Sequence, residues 1–148
     1  MDSRIIELMK TIKVPLEMNC KAGDRLVIVT DYEFDPVVWQ AMSAAATLMG
    51  IEATIAMMPA RDFHQAEPTR PVAEAMKAAD VAIFLTSKAI CHSIAAKAIY
   101  EHKIRTIVME EASYSILTGP AARADYLKIQ EIGKKLQHVF NGAKEITV

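Results

Sequence analysis

The sequence predicts an α/β fold built on a parallel sheet, and three features carry the prediction. Short apolar runs rich in β-branched residues, Leu26–Thr30 and Val81–Leu85 among them, suit strands covered on both faces. Segments of helical period alternate with these runs. The joins are tight: Gly50 alone separates a helix from the strand that follows it, as a βαβ unit requires.

Each element has its own local reason. Ile5, Ile6, Leu8, Met9 and Ile12 keep a helical spacing that predicts an N-terminal helix over 3–12, capped by Ser3 and ended by Val14-Pro15. Lys21 to Asp24 turns the chain into a first strand, Arg25–Thr30. Asp31 to Phe34 turns it again, Asp35 stands at an N-cap position, and Pro36 occupies the first helical position, where its missing N–H costs nothing. That helix runs to about Met49, and Gly50 supplies the left-handed residue that stops it. Ile51–Met58 is the second strand, closed by Pro59.

Residues 59–71, with Pro59, Pro68 and Pro71, form a loop long enough to suggest a functional role. Pro71 opens a short helix, Val72–Ala79. Asp80–Ser87 is the third strand, Ser93 caps a helix from Ile94 to His102, and Ile104–Met109 is the fourth strand. Glu110–Ala124 is irregular and holds the turn signal Gly119-Pro120. Asp125 caps the longest helix, with Leu127, Ile129, Ile132, Leu136, Val139 and Phe140 in helical period up to Gly142. Glu145–Val148 reads as a fifth strand. The sum is a three-layer, Rossmann-like open parallel sheet of about five strands with helices on both faces. The chain stops inside the last strand, which suits an ordinary edge or the cut edge of a longer protein.

Composition narrows the function classes. The 148 residues suit a single domain, residues 1–148, that is 52% hydrophobic and 24% charged. The net charge of −1 gives no electrostatic case for nucleic acid or an anionic membrane, and 6% aromatics argue against base-stacking platforms. Cys20 and Cys91 lie in different parts of the pattern and read as reduced thiols. Asp2, Arg4 and Glu7 exclude a signal peptide, and no apolar run spans a membrane, so cytoplasm is the expected compartment.

Ligands of an open parallel sheet bind at the carboxyl ends of its strands. The cleft candidates are therefore Thr30 and Asp31 after the first strand, Thr86 and Ser87 after the third, His92 beyond it, and Glu110 and Glu111 after the fourth. Taken singly, each reads first as a residue that caps a helix or closes a turn. The first βα loop, Asp31 to Asp35, has no glycine and three carboxylates, which disfavours a dinucleotide or P-loop site. His64, His92, His102 and His138 are scattered without a ligand spacing. Cys91 reads as an inert thiol and His92 as a contact to backbone or solvent. Ser87 and Ser93 lack G-x-S-x-G. No residue is expected to bind a metal or cofactor, and no catalytic residue is assigned. The nine methionines, Met42, Met57, Met58 and Met76 among them, fall mostly on predicted core faces. Trp39 suits either a core or an interface.

The run from Ala22 to Asp31, the helix with Ala44-Ala45-Ala46 ending at Gly50, Met58-Pro59, Pro71 to Met76, Ala79 to Ile83, Thr86 to Ser93, and Ala124-Asp125-Tyr126 before Lys144 to Thr147 occur in a familiar order. In that order they resemble the N-terminal domain of the thermophilic metallo-aminopeptidases, the aminopeptidase T and aminopeptidase S type often labelled leucyl aminopeptidases. Dihydroxypyridine dioxygenases, which cleave rings, are similar to the same family. The resemblance implies a divalent metal (zinc, cobalt or iron) in the complete enzyme, with its ligands in a C-terminal domain and none in this chain. It implies cleft-wall and dimer contacts for this part, and Thr86–Ser93 as the cleft-facing segment. The partners implied are a second copy or a catalytic C-terminal half. The leading reading is the N-terminal domain of an aminopeptidase-like hydrolase; the alternatives are a stand-alone α/β binding or assembly subunit and part of a dioxygenase-like ring-cleaving enzyme.

Overall fold

The computed structural model describes residues 2–145 and 147. Four strands, β1 (Arg25–Asp31), β2 (Glu52–Met58), β3 (Val81–Leu85) and β4 (Arg105–Val108), form one parallel sheet in the order β2-β1-β3-β4. Side chains alternate across the sheet. Leu26, Ile28, Ile83 and Leu85 pack with α1 (Ser3–Asn19) and α2 (Pro36–Leu48) on one face. Val27, Val29, Ala82 and Phe84 pack with α3 (Arg70–Ala78) and α4 (Ile94–Glu101) on the other. The architecture is the expected three-layer α/β sandwich with an open parallel sheet.

The local signals around α2 act as read. The Asp35 carboxylate accepts the Val37 amide, a cap that contributes about 1 kcal/mol. Gly50 takes φ +71° and its carbonyl receives the Gly23 amide at 2.9 Å. Gly23 is itself at φ +86°, so two left-handed glycines lock the entrance of β1 to the exit of α2.

Several boundaries differ from expectation. Helix α1 does not end at Val14-Pro15 but carries Pro15 inside it and runs to Asn19. Leu8, Ile12 and Leu16 are all buried at intervals of one turn, and burial of Leu16 outweighs the amide that Pro15 lacks. The cap of α1 is Asp2 rather than Ser3, its carboxylate accepting the Arg4 amide at 3.0 Å. The stretch 110–124 contains a short helix, α5 (Tyr114–Thr118), and a 3₁₀ turn (Ala121–Arg123). Helix α6 (Tyr126–Gly142) has 17 residues, as α1 does, and Asp125 caps it through the Lys128 amide. The sheet of the described residues has four strands rather than five. Glu145 and Thr147 lie outside any strand, while Ile146 and Val148 of the expected fifth strand lie outside the described residues.

At the amino ends of the strands, the Arg25 guanidinium clasps Asp80 with two bonds of 3.0 and 2.8 Å, and the Arg25 amide adds a third. Beside it, Arg105 donates to buried Asp24 at 2.8 Å. These donors hold the carboxyls of Asp80 and Asp24 below the usual carboxylate range, Arg25 being the chief cause for Asp80 and Arg105 for Asp24.

Candidate functional site

Sheet order places the topological switch between β1 and β3, because the chain leaves β1 toward β2 on one side and returns as β3 on the other. The carboxyl ends of these two strands carry Thr30, Asp31, Thr86 and Ser87. Asp31 is 2% exposed and its two oxygens take four donors. Oδ1 accepts the amides of Glu33 and Phe34 at 3.0 and 3.1 Å, which shapes the loop after β1. Oδ2 accepts the amide and hydroxyl of Ser87 at 2.7 and 3.0 Å, which ties that loop to the end of β3. The hydroxyls of Thr30 and Thr86 are buried and find no partner among the described residues.

The segment from Ser87 to Ala96 follows, and side chains of the same chain accept most of its amides. Glu110 accepts from Ile90 at 2.5 Å. The Nδ1 atom of His64 accepts from Ala89 at 3.2 Å, which places the ring proton on Nε2. Gln65 accepts from His92, and its own amide, in a left-handed conformation, donates to the Ala89 carbonyl. Glu67 accepts from Ile94 and Ala95 at 2.5 and 3.1 Å, capping α4 together with Ser93, which accepts from Ala96. A negative charge at that helix end is stabilising.

The structure thus brings Asp31, Thr86, Ser87 and Glu110 to one end of the sheet. Glu111 is exposed there at φ +57°, its amide donating to the Thr86 carbonyl. His92 is exposed, and its amide is held by Gln65. The sequence reading missed His64, Gln65 and Glu67. The only signal for them is the length of the 59–71 loop, since nothing local in the sequence says which segment that loop will touch.

Chemically, the arrangement closes off one class of ligand. In an open α/β sheet the amides after β3 and at the start of α4 are natural anion donors. Here three carboxylates, Asp31, Glu110 and Glu67, already stand where an anion's oxygens would go. A phosphate would meet both filled donors and like charge. The same commitments leave these oxygens poorly disposed to take a cation, and among the described residues no three His, Cys, Asp or Glu side chains gather in a metal-binding group. The residues present do not fit a resident divalent metal.

Cys91 is not an activated nucleophile. Burial first, and the neighbouring Glu110 carboxylate second, push its thiol above the ordinary value. The hydroxyl of Tyr100, which donates to the Cys91 carbonyl at 2.9 Å, is also pushed up, chiefly by burial.

Grooves lie elsewhere on the surface. One of about 680 Å³ runs between α1 and the 122–124 turn, past Glu7, Lys10 and Arg123. An apolar one of about 310 Å³ runs between the second half of α1, β4 and Tyr126. No helix among the described residues is long and apolar enough to cross a membrane.

No family model and no curated protein matches the chain. Among solved structures it is similar to 2,5-dihydroxypyridine dioxygenase from Pseudomonas putida KT2440, with 16% identity and a TM-score of 0.59 over 68% of this chain. The likeness is one of fold. It spans 33% of the length of that enzyme. The dioxygenase part of the resemblance read in the sequence therefore has a counterpart in fold, whereas the aminopeptidase part is not shown.

Proposed function

We propose that this chain forms one wall of the cleft of a metal-dependent, dihydroxypyridine dioxygenase-like enzyme, whose metal is held outside these 148 residues. The supporting observation is the shared α/β fold, which accounts for 68% of this chain but only 33% of the dioxygenase. This is an argument by analogy of fold, strengthened by place: the switch-point end of the sheet is where such folds meet small molecules. On this reading Tyr32, exposed in the turn after β1, together with Cys91, His92 and Glu111 forms the rim that faces the ring, and the divalent metal, iron ahead of zinc or cobalt, comes with the remaining two thirds of the enzyme. The aminopeptidase-like reading would use the same wall, and the structural neighbour favours the dioxygenase over it.

The test is an amide-resolved NMR titration of the purified chain with 2,5-dihydroxypyridine and, separately, with a leucyl dipeptide. The reading expects weak shifts confined to 31–34, 87–93 and 110–111 with the ring compound. Shifts with the dipeptide alone would favour the hydrolase. Iron-dependent oxygen uptake by this chain alone, or no shift at these amides, would overturn the proposal.

A further inference from the structure

None of the 17 residues of α6 is buried. Its charges and amides nevertheless keep strictly to one side. At 100° per residue, Tyr126, Ile129, Ile132, Leu136, Val139 and Phe140 fall within a stripe about 140° wide, with Gly133 inside it. Lys128, Gln130, Glu131, Lys134, Lys135, Gln137, His138 and Asn141 lie outside it, Leu127 is the one large apolar residue among them, and Lys135 pairs with Glu131 at 2.8 Å on that polar side. Ile129, Ile132, Leu136 and Val139 repeat at intervals of three and four, the spacing of a helix-pairing seam. Their exposures run from 48% to 64%.

We propose that α6 is a self-association element, its stripe packing against the same stripe of a second copy of this chain. The area fits. Six large side chains, each about half exposed, leave on the order of 600 Å² of contiguous apolar surface, the upper end of what a monomer shows. A stable two-fold interface takes about 800 Å² from each partner. The remainder lies alongside, because Tyr126 is also a wall of the apolar groove formed by Val14, Pro15, Met18 and Val108. Met18 and Val108 are 47% and 48% exposed. A net charge of −1 sets up little repulsion between copies. Gly133, near the middle of the helix, leaves open space around its Cα and lets a second helix approach closely there.

Pairing also completes the helix. A lone helix of this length, with no packing, is marginal in water. Association and helicity of α6 are therefore coupled, and this gives two readouts. Sedimentation velocity over a dilution series should show a dimer that dissociates to monomer, with far-ultraviolet helicity falling in step. Leu136→Glu should be monomeric at every concentration and less helical. Its unfolding transition, followed by the fluorescence of Trp39 in the α1–α2 layer, should stay cooperative, which separates lost pairing from lost folding. Lys134→Glu, on the polar side, should dimerise as the parent does. A parent chain that is monomeric at high micromolar concentration overturns the proposal, and so does a Leu136→Glu variant that still dimerises.

Discussion

The carboxylate of Asp31 holds both the amide and the hydroxyl of Ser87, at 2.7 and 3.0 Å, from a position 56 residues away. It is the bolt between the loops that end β1 and β3, the two central strands of the sheet. Asp31→Asn replaces one acceptor oxygen by an amide that must point at a donor, either at Ser87 or at the turn of Glu33 and Phe34. The expected loss is about 1–3 kcal/mol, the cost of leaving buried donors unmet. Denaturant unfolding followed by Trp39 fluorescence measures it, and a variant as stable as the parent would show that the bolt carries no weight.

Glu67 reaches over the first turn of α4. Glu67→Ala leaves the amides of Ile94 and Ala95 without their acceptor and removes a charge from a helix N-terminus. The loss should be about 1 kcal/mol. Hydrogen exchange should quicken at those two amides and not at Ala96, which Ser93 serves. Unchanged protection at Ile94 and Ala95 would remove Glu67 from the cap.

Asp24 and Asp80 set the acid limit. Both carboxyls are held low in the fold by Arg105 and Arg25, so their contribution is complete above the unfolded value near pH 4 and is lost as pH falls through the folded values. Melting temperature should therefore fall steeply below about pH 4. The double variant Asp24→Asn, Asp80→Asn should be less stable at neutral pH and lose less on acidification. Parallel curves for the two proteins would place the acid sensitivity elsewhere.

Cys91 should alkylate more slowly than free cysteine at pH 8, because its thiol is held protonated by burial and by Glu110. Glu110→Gln removes the charge and should raise the rate, while burial keeps it below that of the free amino acid. Peptide-resolved mass spectrometry separates this from Cys20, whose thiol is also pushed up, first by burial and then by Asp24. A rate insensitive to the substitution would leave burial as the whole cause.

The elements most legible in the sequence are those whose signals are local. Asp35-Pro36 and Gly50 mark the ends of α2 because capping and left-handed turns depend on a few adjacent residues. Pro15 misleads for the opposite reason: its local veto on helix is outweighed by Leu16, whose burial depends on a sheet that a short window does not contain. The candidate site divides in the same way. The rule that strand ends carry ligands names Asp31, Thr86, Ser87 and Glu110, and of these Asp31 and Ser87 are bonded to each other. That Asp31 and Glu110 would be spent on backbone amides, and that His64, Gln65 and Glu67 would join them, depends on contacts between residues 20 to 28 positions apart or more. The period of α6 is equally plain in the sequence, whereas the exposure of its apolar side appears only once the fold is seen.

The central place of β1 bears on how the molecule is made. It precedes the other strands of its sheet along the chain, and it needs partners on both sides before its backbone is satisfied. At ribosomal rates, roughly three to eleven seconds separate the emergence of Asp31 from that of Ser87. For that interval a nascent chain carries Leu26–Val29 as an apolar ribbon with at least one open edge, the kind that invites pairing with other chains. The amphipathic helices α1 and α2, which flank β1 in sequence and pack on one face of it, are then its early shelter. The opposite face waits for α3 and α4, and the growing polypeptide is most vulnerable to aggregation just before β3 arrives.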